Sequence, residues 1–220
     1  MNQFLKALMF LLVASFTCSV VAQEPAQKNT GFESIETLFD AYADAVRGDD
    51  WNTVFSMGTE RYQRAENIHL VHVVMLGAAQ REDLRASIER IGISWAELQP
   101  ILKSVENLDP NDPGDFEELA FRSSKQIDDL IEANVADRGR LFVDLHSFAK
   151  PPIKSEFKVS YSVQGTDTAT GEMSWKTGPA ERPATISEEV TFRRIDGLWY
   201  FGLNDEGVAL FEKIDAQEKD

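Results

Sequence analysis

Apolar residues recur every three or four positions over the first two thirds of the chain and alternate with polar ones over the last third. From Glu33 to Arg47, Ile35, Leu38, Phe39, Tyr42 and Val46 line one helical face, with Glu36, Asp40 and Asp44 outside it and Gly48 as the stop. Asp49 or Asp50 can cap a second short helix carrying Trp51, Val54 and Phe55, and Thr59 a third through Ile68, Val71, Val74 and Met75. Ser94 and Glu97 have capping-box spacing, with Ile93 and Leu98 placed to staple the entry of a helix that Pro100 is expected to kink or interrupt. Asp115 and Glu118 repeat that box after a DPNDPG turn, and Phe116, Leu119, Ile127, Leu130 and Ile131 carry the stripe towards Gly139.

The period then falls to two. Phe157, Val159, Tyr161 and Val163 alternate with Lys158, Ser160 and Ser162, as a sheet with one buried face requires. The segment 141–148 fits both periods, and is read as a first strand with Leu141, Val143 and Leu145 on one face. Asp196-Gly197 predicts a tight hairpin, because both residues of such a turn need positive φ. Its register pairs Arg194 with Trp199, Arg193 with Tyr200, Phe192 with Phe201 and Val190 with Leu203. The polar run 165–171 (GTDTATG) reads as another hairpin loop. Helices followed by an antiparallel meander imply an α+β domain with the apolar sheet face packed on the helices.

Residues 1–22 change the picture of where this domain works. Lys6, the apolar run 7–16 and Val20-Val21-Ala22 have the layout of a cleaved export signal, which implies a periplasmic or secreted protein. The apolar run is short of the ~20 residues that span a bilayer, so no membrane span is expected after cleavage. Cys18, the single cysteine, sits in a context (Ser15-Phe16-Thr17) that fits lipid attachment poorly, and its removal leaves a mature chain without disulfides. That organisation is a signal at 1–22 and one α+β domain at 23–220, mostly helical over 33–139, mostly antiparallel strand over 140–204, with a C-terminal tail at 205–220. The net charge of -15 becomes about -16 when the segment's one Lys is removed, which disfavours nucleic acid and anionic membranes as partners.

The opening FESIETLFDAYADAVRGDDWNTVF and the closing EEVTFRRIDGLWYFGL together resemble the NTF2-like (SnoaL-like, cystatin-like) superfamily. The resemblance implies a curved antiparallel sheet wrapped over N-terminal helices around a conical pocket. That family includes isomerases, dehydratases, transport factors and many exported domains, and its enzymes place an Asp or His inside the pocket. The chain departs from the family over Glu60 to Gly139, a long, mostly helical stretch. A helix-rich elaboration or a different α+β fold would each account for it.

Candidate chemistry is sparse. Glu66, His69 and His72 stand three apart on a helix and could project from one side as metal ligands, although no HExxH or further ligand run accompanies them. If 141–148 is a strand, Asp144 and His146 share a face on which the carboxylate could orient the imidazole as a base, with Tyr161 as acid; the competing reading points that face to solvent. Trp175, Trp199 and Tyr200 are candidates to line an aromatic ligand pocket, or Trp199 is core and Tyr200 faces away. No GxSxG, SxxK or glycine-rich phosphate loop is present, and no cofactor is expected. The reading is therefore a non-catalytic exported domain binding a small apolar ligand or an envelope protein. The alternative is a pocket-type isomerase, dehydratase or hydrolase, and a homodimer through the open sheet face is a third expectation.

Overall fold

The computed structural model describes residues 29–106, 113–149, 155–177 and 184–217. Residues 1–22, which include Cys18, and the DPNDPG turn up to residue 112 lie outside the described residues. Among the described residues, eight helices and four strands make an α+β architecture: α1 (Ile35–Arg47), α2 (Trp51–Ser56), α3 (Glu60–Ala78), α4 (Glu82–Arg90), α5 (Trp95–Glu106), α6 (Pro113–Asn134), α7 (Arg138–Ala149), β1 (Ser155–Gln164), β2 (Thr168–Thr177), β3 (Ala184–Ile195), β4 (Leu198–Gly202) and α8 (Asp205–Gln217). Among the described residues no helix is long and apolar enough to cross a membrane.

The first three helices begin and end where short-range chemistry directs. Ser34 caps α1 by accepting from the Thr37 amide at 3.2 Å, and the Gly48 amide closes its last turn on the Asp44 carbonyl. Asp50, rather than Asp49, caps α2 through the Thr53 amide at 3.1 Å, while Thr59 caps α3 through Tyr62. Pro100 does not interrupt α5, which runs on to Glu106. Ala96 and Pro100 both lie on its exposed side, so the Ala96 carbonyl that loses its helical donor is left to water. Helix α4 falls in a stretch read as mostly helical but given no helix of its own, and α6 starts at Pro113, ahead of Asp115.

The strand reading of 141–148 is overturned, since these residues belong to α7. Asp137 starts the helix by accepting from the Arg140 amide at 2.9 Å, and Arg140 pairs with Asp144 one turn on at 3.6 Å. Leu141, Phe142, Val143, Leu145 and His146 are all buried, so the helix is enclosed on most sides and its apolar pattern cannot separate a period of two from one of 3.6. Residues 205–217, read as tail, form α8, started by the Asn204 side chain accepting from the Gly207 amide at 2.8 Å and anchored by buried Phe211 and Ile214.

The sheet is an antiparallel meander in the order β1-β2-β3-β4. Asp196 and Gly197 adopt φ of 51° and 85°, and the hairpin pairs Arg194 with Trp199, Arg193 with Tyr200 and Phe192 with Phe201. The ladder ends at Thr191 and Gly202, so the expected pairing of Val190 with Leu203 is not formed. The 165–171 loop is shorter than read, because Thr168 to Gly171 already pair with β1 and β3. Phe192, Val190, Met173, Trp175, Trp199 and Phe201 join buried residues of all eight helices in one core. At Gly171 the two strands leave no room for a side chain: a Cβ would lie 2.2 Å from the Ser160 carbonyl oxygen and 2.9 Å from Tyr161 Cα. Gly171→Ala is therefore expected to push β1 off β2 at a cost of about 1–3 kcal/mol. An unchanged urea midpoint would refute that close approach.

Candidate functional site

Because β4 is short, residues 184–190 of β3 have no partner from it, and helix α8 follows directly after β4. Between this stretch of β3, the end of β4 and helices α2, α3, α6, α7 and α8 lies a cavity of about 420 Å³, a size that suits a small organic molecule. Its wall is mostly apolar and aromatic: Tyr42, Phe55, Tyr62, Phe142, Phe201 and Phe211. Tyr42 and Tyr62 both pack on Phe201, with ring centroids 5.2 and 6.0 Å away.

The chain has three histidines, and all three line this cavity. Glu66, His69 and His72 present themselves to it at a spacing of three along α3, while Leu70, Val71 and Val74 are buried on other sides of that helix. Removal from bulk water lowers the His69 pKa to about 4, with His72 nearby pushing in the same direction. Burial likewise lowers His72 to about 4, against the opposing pull of its hydrogen bond to the Ile68 carbonyl at 3.1 Å. Both rings face the cavity and are partly buried, and with their pKa values lowered to about 4 they are neutral at physiological pH.

His146 reaches the cavity from α7. Its Nδ1 lies 3.0 Å from the Phe142 carbonyl oxygen, and its ring stacks on Trp51 (centroids 5.0 Å, planes 10° apart) and against Phe142 at 4.2 Å. A carbonyl oxygen only accepts, so Nδ1 of both His72 and His146 carries the proton, and in the neutral ring Nε2 is an acceptor.

The other sequence candidates fall elsewhere. Asp144 and His146 do not share a face: two residues apart on a helix they diverge by about 200°, and Asp144 pairs with Arg140 instead of orienting the imidazole. Tyr161 does not line the cavity; its hydroxyl donates to Glu36 on α1, which lowers the Glu36 pKa and raises that of Tyr161, making the phenol a poorer acid. Trp175 and Trp199 are buried in the sheet's core layer, Tyr200 packs over Gly31, and none of the three lines the cavity. Among the described residues no group of three His, Cys, Asp or Glu side chains is arranged to hold a metal ion, so Glu66, His69 and His72 share a wall without forming a metal centre.

Glu188 was missed by the pattern. It occupies the same sheet face as Ile186, Val190 and Phe192, opposite Met173, and is the one acidic residue in that otherwise apolar alternation. A carboxylate at an inward position is the signal that could have marked it. Comparison with known proteins returns no match to a family model, a curated protein or a solved structure.

Proposed function

We propose that this chain is an exported binding domain whose cavity takes a small, largely apolar molecule. The observation that carries this reading is the convergence of all three histidines, drawn from two helices that place His146 74 and 77 residues from His72 and His69 in sequence, on one aromatic cavity of about 420 Å³. Binding is favoured over proton transfer by His69 and His72 because a base with a pKa of about 4 is a weak acceptor at neutral pH. Neutral imidazoles on an apolar wall instead fix a ligand's orientation through hydrogen bonds.

A pocket-type enzyme, such as an isomerase, dehydratase or hydrolase, is the second reading, favoured by His146. Its ring is clamped between Trp51 and Phe142 and its Nδ1 is held by a carbonyl, which is the preorganisation a general base needs. Support for an NTF2-like relationship consists of the meander packed over amphipathic helices around a cavity, and support for export rests on residues 1–22. Native mass spectrometry of the exported protein tests the proposal: a mass beginning near Gln23 and a non-covalent small-molecule adduct are expected. A chain that retains residues 1–22 would overturn export. A chain without adduct that also takes up nothing from a small-molecule extract would overturn the binding reading.

A further inference from the structure

Among the described residues, α8 carries fewer buried side chains than any other element of the cavity wall. Gly207, Leu210, Phe211 and Ile214, spaced three and four apart, form its inward face; the first three line the cavity, and only Phe211 and Ile214 are buried. Much of its remaining hold is by charge. Asp215 accepts from Arg64 at 2.7 Å and from Arg61 at 2.9 Å, both on α3, and Glu212 lies 3.9 Å from Arg61. Lys213 lies 3.6 Å from Glu118 on α6 and 4.1 Å from the centre of the Phe121 ring. These ties gather on residues 212–215. At the other end of the helix, Arg193 of β3 donates to the Leu203 carbonyl at 3.1 Å and to Asp205 at 3.0 Å, and the Asn204 side chain accepts from the Gly207 amide. That end is clamped to the sheet.

Resting on the binding reading above, we infer that α8 is the gate of the cavity: it pivots about Leu203 and Asn204, releases residues 212–215 from α3 and α6, and so admits and discharges the ligand. One end is fixed to the rigid sheet while the other is held by long, hydrated side chains, so local opening costs least at the charged end. The ties differ in how far water reaches them. The side chains of Arg61 and Lys213 are 45 % and 54 % exposed, so dissolved salt screens their pairs, whereas Arg64, at 16 %, is the firmer latch on Asp215. Exchange of a neutral ligand therefore quickens as salt is added, which a permanently open cavity would not show.

Thiol labelling tests the gate, because Cys18 is the chain's single cysteine. In a Cys18→Ser background, Ser123→Cys places a thiol on the cavity wall at a position 4 % exposed, and Ser87→Cys places one on α4, equally buried but away from the cavity. Labelling of Ser123→Cys by neutral N-ethylmaleimide is expected to be about five-fold or more faster when Arg61→Gln and Lys213→Gln are combined. It is also expected to rise between about 0.05 and about 0.5 M NaCl, while Ser87→Cys stays level in both comparisons. Release of N-phenyl-1-naphthylamine, a neutral apolar dye, from the unsubstituted protein is expected to quicken over the same range of salt. Ser123→Cys labelling that responds neither to the two substitutions nor to salt overturns the gate. A matching rise at Ser87→Cys overturns it too, since that marks unfolding of the whole domain. Faster labelling without faster dye release also overturns it, because the ligand then takes another route, and the apolar cavity reading stands. Failure of the dye to bind at all overturns the cavity reading itself, and this inference with it.

Discussion

Replacing Asp128 by Ala is expected to destabilise the protein by about 3–5 kcal/mol, because it leaves a buried guanidinium without its main counter-charge. Asp128 is fully buried on α6, where its carboxylate accepts from Arg64 Nε at 2.6 Å and lies 3.6 Å from a guanidinium nitrogen of Arg138. Arg64 also pairs with Asp215 at 2.7 Å, and Arg61 reaches the same carboxylate at 2.9 Å. The network thus joins α3, α6 and the first residue of α7 to α8. Its geometry matters to the site, since α8 carries Glu206, Leu210 and Phe211 along the cavity wall.

The single and double variants should behave differently. Asp128→Ala alone leaves the Arg64 charge, which is only 16 % exposed, with Asp215 as its remaining counter-charge, whereas Asp128→Ala combined with Arg64→Met removes both charges and keeps apolar volume against Phe211. The double variant is therefore expected to be more stable than Asp128→Ala, and urea unfolding of the set measures the difference. If Asp128→Ala cost under about 1 kcal/mol, the pairing would be a solvated contact of the surface kind. Hydrogen exchange should show the loss first in α8, whose ties to α3 run through Asp215 and the weaker contact of Arg61 with Glu212 at 3.9 Å.

Much of this architecture could be read in the chain, for identifiable reasons. Helix α1 presents one apolar stripe and has a cap at Ser34 and a glycine stop, so local pattern and tertiary role coincide. The Asp196-Gly197 hairpin is specified by two residues whose backbone preference is nearly independent of context. Helix α7 was not legible because burial on most sides erases the polar face that distinguishes a helix from a buried strand. Helix α8 has only Phe211 and Ile214 fully buried in an acidic segment, and its start depends on a cap by Asn204.

The site was half legible. Glu66, His69 and His72 stand at helical spacing and do share a wall, but their role as ligands to a metal does not follow from sharing it. His146 was the right residue on the wrong element, and only the docking of α7 on α3 brings it beside the other two histidines. Glu188 stood out by its parity, as a carboxylate in an inward-facing series. Its meaning depended on β4 stopping at Gly202 and leaving that stretch of β3 beside the cavity, a length that no local signal sets.

Acidification should unfold the protein earlier than its carboxylates alone would. In the unfolded chain a histidine titrates near 6.5, whereas His69 and His72 in the fold titrate at about 4. Between those values the unfolded chain holds more protons than the folded one, so stability falls as pH is lowered from about 6.5 and levels off for these groups below about 4. Two such histidines amount to a loss on the order of 5 kcal/mol by pH 4.5, comparable with the whole stability of many domains. The carboxylates of Glu36, Asp83 and Glu118, whose pKa values are lowered by hydrogen bonds to Tyr161, Arg81 and Arg122, lose their contribution only as pH falls through those lowered values. All three are solvent-exposed, so their share is small. Urea unfolding at pH 7.5, 6.5, 5.5 and 4.5 is expected to show the midpoint falling steadily below 6.5. In a His69→Gln/His72→Gln variant the midpoint should stay nearly level down to 4.5. A wild-type midpoint that is flat between 6.5 and 4.5 would mean that these imidazoles reach bulk water, and would remove the neutral wall on which the reading of the cavity depends.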